Sequence, residues 1–233
     1  MHKTIFGALF MLALSLLMTN CSDNPASSPE SNAATDGGIL NAPQPAPQVW
    51  MLTNLDVTTY RNGDPIPQVT DSAQWVNLTT GAWCYPNNDP ANGPIYGKLY
   101  NWYAVNDPRG LAPVGYHVPT DKEWKTYEMS LGMTRQQADG TGWRGTDEGG
   151  KLKETGTTHW ITPNTGATNS SGFTGLPAGF RYSQKFGYQG SWWTSTQSSG
   201  TSAWSRSLYY VNAKVARSTF GKSCGLSVRC VQN

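Results

Sequence analysis

The run Ala203-Trp204-Ser205-Arg206-Ser207-Leu208-Tyr209-Tyr210 sets a period of two that no helix can use. In an extended strand Trp204, Arg206, Leu208 and Tyr210 fall on one side and Ala203, Ser205, Ser207 and Tyr209 on the other, because successive side chains point to opposite faces. The run reads as a strand with one heavy face. Leu226, Val228 and Cys230 alternate with Ser227, Arg229 and Val231 in the same manner, so the chain is expected to end in a second strand that closes a sheet. With 14% charged residues against 25 Gly, 10 Trp and 11 Tyr, the composition suits a loop-rich domain with an aromatic core and argues against a helical bundle. A net charge of +2 and the lack of any basic run leave a nucleic-acid partner without electrostatic support.

Upstream of this region the chain changes character twice. Residues 1–20 read as a signal peptide: His2 and Lys3 precede an apolar run from Ile5 to Met18 that is short for a bilayer span. It ends in Leu17-Met18-Thr19-Asn20-Cys21, which is similar to the lipobox of bacterial lipoproteins, where the cysteine becomes the lipidated first residue. The expectation is a lipoprotein anchored through palmitate-bearing Cys21 in the outer membrane of a Gram-negative cell, facing the cell surface. Residues 21–47 carry Ser, Asn, Ala, Pro and Gly after the cysteine, with no Lys, Arg or aromatic, and cannot bury enough apolar surface to offset ordering entropy. They read as a tether, stiffened at Pro43-Gln44-Pro45-Ala46-Pro47. Apolar density arrives at Gln48-Val49-Trp50-Met51-Leu52, so the domain is placed at 48–233, opening with a strand.

Two helices are expected. Leu99, Trp102 and Tyr103 recur at helical spacing in Gly97–Val105, and Asn106-Asp107-Pro108-Arg109-Gly110 stops them. The second carries a T-x-x-E capping box at Thr120 and Glu123, a Pro119/Trp124 staple, and Gly132 where a left-handed residue ends a helix. Trp124, Tyr127 and Leu131 form its apolar stripe, which leaves Lys122, Lys125 and Glu128 for water. From Thr134 to Phe180 periodicity gives way to Gly, Thr and Asn, a long loop region with one helical turn at Gly150–Lys153.

Chemistry-bearing patterns are sparse. His117 and His159 sit in no H-x-E, H-E-x-x-H or paired C-x-x-C context, so no zinc site is expected. Asp139, Asp147 and Glu148 occupy a Gly-rich stretch with oxygen ligands suited to calcium, but their spacing matches no EF-hand loop. Neither a metal nor another cofactor is expected. Lipidation of Cys21 leaves Cys84, Cys224 and Cys230, an odd set in an oxidising compartment. Cys224–Cys230 would bridge a tight turn and Cys84–Cys230 would tie an early loop to the last strand; spacing does not choose. No Ser-His-Asp, nucleophile-elbow or carboxylate-pair pattern supports catalysis. Arg206 and Arg229 are candidate structural arginines for Glu123 or Glu154.

Gln48-Val49-Trp50-Met51, Tyr100-Asn101-Trp102-Tyr103, Gly115-Tyr116-His117-Val118-Pro119-Thr120, Lys151-Leu152-Lys153-Glu154-Thr155-Gly156, His159-Trp160, Asn164-Thr165-Gly166-Ala167-Thr168-Asn169, Gly172-Phe173, Trp192-Trp193 and Ser227-Val228-Arg229-Cys230 together resemble the Fibrobacter succinogenes major paralogous domain. The resemblance runs from Gln48 to the end. It implies an exported protein or lipoprotein of Fibrobacter or Bacteroidetes, in a family whose biochemical function is largely unassigned. The family is in turn similar to the C-type lectin-like and formylglycine-generating-enzyme fold, which implies an α+β domain: two helices on small, twisted, mostly antiparallel sheets, with a long loop region and close termini. It also implies a preference for the Cys84–Cys230 pair. The enzyme of that fold uses reactive cysteines upstream of a segment like Gly225-Leu226-Ser227-Val228-Arg229-Cys230. Here Trp204-Ser205-Arg206 stands where the nucleophile would be, so the domain is expected to be non-catalytic.

In lectin-like folds the long-loop end of the sheet carries ligands, which points to Trp192, Trp193, Arg206, Tyr209, Tyr210 and Asn212 as ligand-binding residues. Tandem Trp in a small sheet also serves as core. Calcium-lectin signatures are absent, so calcium-dependent sugar binding is not expected. The functional expectation is a surface lipoprotein with a lectin-like binding or adhesion domain for a glycan or an envelope protein. The alternatives are an accessory subunit of an outer-membrane complex and an enzyme of unassigned activity.

Overall fold

A computed structural model describes residues 48–181, 183 and 185–233; the signal peptide, lipidated Cys21 and tether expected from the sequence lie outside the described residues. The domain is mixed α+β, with short helices α1 (Ser72–Val76), α2 (Gly93–Tyr96), α3 (Trp102–Val105), α4 (Asp121–Ser130), α5 (Arg135–Asp139) and α6 (Glu148–Leu152). Strands β1 (Trp83–Cys84) and β2 (Leu99–Tyr100) pair with each other, and β3 (Tyr116–His117) pairs with β8 (Val231–Gln232). The main sheet is antiparallel, in the order β4-β7-β6-β5, from β4 (Gly142–Arg144), β5 (Gln189–Gln197), β6 (Ser202–Tyr209) and β7 (Val215–Gly221). No helix among the described residues is long and apolar enough to cross a membrane.

The expected strand at 203–210 is β6, with its heavy side chains on one face as expected, but both of its faces are buried. Arg206 and Leu208 are buried on one face, and Ala203, Ser205 and Ser207 on the other. The tandem tryptophans of β5 divide between the two: Trp192 joins Trp124, Phe173 and Leu208, whereas Trp193 joins Tyr100, Phe220 and Val228. Trp192 Nε1 donates to Asn54 Oδ1 at 2.8 Å and Trp193 Nε1 to the Tyr100 carbonyl at 2.8 Å, so each indole satisfies its polar edge inside the protein.

Helix α4 lies across the arginine-bearing face. Both halves of the expected capping box form: Glu123 N donates to Thr120 Oγ1 at 3.2 Å, and Thr120 N donates to Glu123 Oε2 at 2.7 Å. Gly132 follows the helix at φ 122°. The polar face is where sequence and structure part: Glu128, expected in water, is fully buried. Asp121 and Glu128 lie two turns apart and so project from one side of the helix. Arg206 donates from Nε to Glu128 Oε1 at 2.6 Å and from Nη1 to Asp121 Oδ1 at 2.8 Å. Arg217 binds both Asp121 oxygens at 2.9 and 2.8 Å, and Arg144 Nη2 reaches Glu128 Oε1 at 2.9 Å. Register explains the convergence, since Arg206 stands opposite Arg217, and Arg144 opposite Val215 beside it.

Two further expectations are corrected. The helix expected over Gly97–Val105 is a strand followed by a single turn. Asn101 divides them: its Oδ1 accepts from Ala82 N and Ala104 N, both at 3.0 Å, and caps the turn while holding the chain extended before it. The closing strand expected at 226–231 is extended but pairs irregularly. Leu226 exchanges backbone hydrogen bonds with Tyr100, Ser227 bonds to Ser191 and Trp193 on β5, and Val228 and Cys230 carbonyls accept from Leu55 and Met51. Threaded between partners on two sides, this stretch is buried from Leu226 to Val231. Trp50 bridges Val231, bringing the two ends of the domain together.

Cys84 and Cys230 are free, buried thiols, so neither the Cys84–Cys230 nor the Cys224–Cys230 bridge is formed. Burial pushes the Cys84 thiol up and the Cys230 thiol up to about 12.

Two stability outcomes follow from the ion network. Glu128→Ala leaves buried guanidinium groups without their carboxylate and is expected to cost about 3–5 kcal/mol in urea unfolding, whereas Lys122→Ala on the exposed side of α4 stays within about 0.5 kcal/mol. Burial alone would raise the Asp121 carboxyl, but Arg217 and Arg206 hold it down at about 2. That depression makes the charged form stabilising above about pH 4, by about 2 kcal/mol, and the contribution disappears as pH falls toward about 2. Acid titration of Asp121→Asn is expected to show a smaller loss over that interval than the parent chain.

Candidate functional site

At the end of β6 the chain turns outward, and aromatic side chains gather on the surface. Tyr209 lies 6.2 Å from Trp143 with the planes at 42°, and 5.0 Å from Tyr210; Tyr210 meets Tyr188 edge to face at 5.2 Å. Trp143 is 42% exposed, and Tyr188, Tyr209 and Tyr210 are half-buried. β4 places Trp143 opposite Ala216, which stands opposite Ser207, so the neighbouring side chains on that row are small. Arg144, next along β4, turns inward to Glu128; the alternation that buries Arg144 is what exposes Trp143.

The turn after β6 is pinned from inside. Lys153 is fully buried, and its Nζ donates to the carbonyls of Thr165 at 2.8 Å, Tyr209 at 3.2 Å and Asn212 at 3.0 Å. Burial lowers it to about 8, so the ammonium form still predominates at neutral pH. The cage draws the backbone carbonyls of Tyr209 and Asn212 inward. Outside it, Asn212 Oδ1 accepts from Lys214 N at 2.9 Å, closing an Asx turn. Thr165 N donates to the Tyr210 carbonyl at 2.7 Å and Tyr210 N to the Tyr188 carbonyl at 2.9 Å, tying the hairpin to two loops. Lys185 Nζ stands 5.2 Å from the Tyr209 ring centroid.

Of the residues expected to bind ligand, Tyr209 and Tyr210 are at this surface, and Asn212 lies in the turn with its carbonyl oxygen committed. Trp192, Trp193 and Arg206 are not ligand-facing: they are 1%, 0% and 0% exposed, placed inward by β5–β6 register and by the carboxylates of α4. Trp143, Tyr188 and Lys185 went unrecognised. The sequence holds one hint, an isolated Trp between Gly142 (φ 71°) and Gly145 (φ 80°). Its closeness to Tyr209 is a matter of sheet order alone.

Other candidates resolve into scaffold. Arg229 has neither Glu123 nor Glu154 as a partner: it donates to Asn54 Oδ1 at 2.9 Å, the Met51 carbonyl at 3.0 Å and the Phe173 carbonyl at 2.6 Å, and burial lowers it to about 9. Glu123 completes the helix cap and bonds His117, and Glu154 bonds His159 Nδ1 at 2.9 Å. Asp139 pairs with Lys125 and Arg135, Asp147 with Lys151, and Glu148 accepts the amides of Thr146 and Asp147. Among the described residues no three His, Cys, Asp or Glu side chains converge as metal ligands would. A cleft of about 180 Å³ lies elsewhere, between Tyr85, Asn88, Phe180 and Arg181, with Cys84 in its wall.

Comparison with known proteins gives a single affiliation. No curated protein and no solved structure matches the chain. A family model described as the Fibrobacter succinogenes major domain matches residues 45–232. With the match covering nearly the whole described domain, the chain belongs to the Fibrobacter succinogenes major domain family.

Proposed function

We propose that this domain is a non-catalytic binding module of an envelope lipoprotein, and that it holds a glycan on the face formed by Trp143 and Tyr209. The exposed indole beside a half-buried phenol, on a hairpin fixed from below, carries this reading. Aromatic faces stack on the apolar side of a sugar ring, and Trp and Tyr offer that area with little conformational freedom to lose. We read the fold as C-type lectin-like, on the strength of its small antiparallel sheets, close termini and long connection between α4 and β5. The lipid anchor at Cys21 and an outer-membrane, surface-facing location belong to the same proposal. They supply its purpose: a tethered domain meets polymers outside the cell.

A docking role in an envelope complex is the second reading, favoured by Val211, which is 47% exposed next to the patch. The two separate experimentally. With the full-length lipoprotein in detergent, a glycan array is expected to give selective binding that Trp143→Ala or Tyr209→Ala weakens about tenfold, ~1.4 kcal/mol. Trp143 is an exposed side chain on an edge strand, so its replacement should move thermal stability by less than about 1 kcal/mol. An empty array together with a stoichiometric co-purifying envelope protein would decide for docking.

A further inference from the structure

Charge around the patch narrows the kind of sugar. Lys98, Lys125 and Lys151 each lie within salt-bridge distance of a carboxylate, whereas Lys122, Lys153, Lys185, Lys214 and Lys222 have no such partner among the described residues, and two of these, Lys185 and Lys214, lie in the segments around the patch. Lys185 stands over the Tyr209 ring, and Lys214 is exposed in the turn closed by Asn212. The acids that open α6 are engaged elsewhere, Asp147 with Lys151 and Glu148 with backbone amides. Beneath the surface the Lys153 ammonium is held by three carbonyls and lies 5.5 Å from the centre of the Trp160 ring, with no carboxylate partner among the described residues. A cation set in low dielectric under a surface adds to the positive potential above it.

Ring geometry narrows the ligand further. Trp143 and Tyr209 are tilted by 42°, and Tyr210 and Tyr188 meet at 89°. Such rings share no plane, so they cannot lie together against a flat crystalline polymer. They suit a single chain that turns between contacts.

We propose that the Trp143–Tyr209 face takes an anionic oligosaccharide, with sugar rings on the aromatics and a carboxylate or sulfate on Lys185. This rests on the reading of that face as a glycan site.

The test uses the full-length lipoprotein and isothermal titration at low salt with three probes: oligogalacturonate, the same oligomer fully methyl-esterified, and a sulfated galactan oligosaccharide. One or both anionic probes are expected to bind about tenfold more tightly than the ester, and which of them does so identifies the anion. Raising the salt to about 0.5 M should shrink the difference by screening the partly exposed Lys185 charge. Lys185→Gln is expected to reduce binding of the anionic probe to the level of the ester, and Lys185→Arg to keep most of the preference. Equal affinity for ester and acid overturns the anionic preference and leaves the glycan reading intact. Failure of all three probes while the array shows neutral glycans bound also overturns it; failure of every glycan overturns both.

Discussion

Two carboxylates on one side of α4, facing three guanidinium groups from three different strands, set the arrangement of everything around them. None of these groups can be left in the interior alone, because an unpaired buried charge costs several kcal/mol. Asp121, Glu128, Arg144, Arg206 and Arg217 can be satisfied together only at one seating of the helix on the sheet. Moving α4 by one turn would strand both acids. An apolar contact in the same place would tolerate such a slip, whereas buried charges that must stay paired do not. The aromatic groups beside it, Trp124 with Trp50 at 4.6 Å and with Phe173 at 5.5 Å, then close around a helix whose position is already set.

The same economy of charge recurs where no carboxylate is at hand. Arg229 and Lys153 are both buried cations held by neutral oxygens, and each joins segments far apart in sequence. The opening segment, expected as a strand, forms only the single bridge at Trp50; Arg229 connects it, at Met51 and Asn54, to the loop at Phe173, and Lys153 connects the loop after α6 to the hairpin after β6. In a chain so rich in turns, backbone carbonyls that no ladder uses must find donors. Cationic side chains with several donors can each serve several of them. The loop region expected from Thr134 to Phe180 in fact opens with α5, β4 and α6, and only its later part, from Lys153 onward, lacks regular structure and is tied in this way at Thr165 and Phe173.

What the sequence disclosed was local. The capping box at Thr120 and Glu123, the terminating Gly132 and the alternation of β6 each depend on residues within a few positions of one another, and each is present in the fold. A second capping box at Thr134 and Gln137, which starts α5, was equally legible and passed unread. Glu128 could not be read correctly, because its partners Arg144 and Arg206 lie 16 and 78 positions later. The stretch from Gly97 to Val105 failed for a related reason: its helical spacing was outweighed by tertiary pairing with Trp83 and Leu226, and by the side chain of Asn101. At the binding face, Tyr209 and Tyr210 were visible as part of the strand pattern. Trp143 and Lys185 belong to it only through sheet order and a returning loop.

The bridge between Trp50 and Val231 has a meaning beyond packing. A folded unit whose entry and exit lie side by side occupies almost no length along its host polypeptide. It can be spliced into a surface turn, repeated in series or hung from a stalk without straining either neighbour. Its architecture is therefore that of a portable cassette, indifferent to what it is joined to.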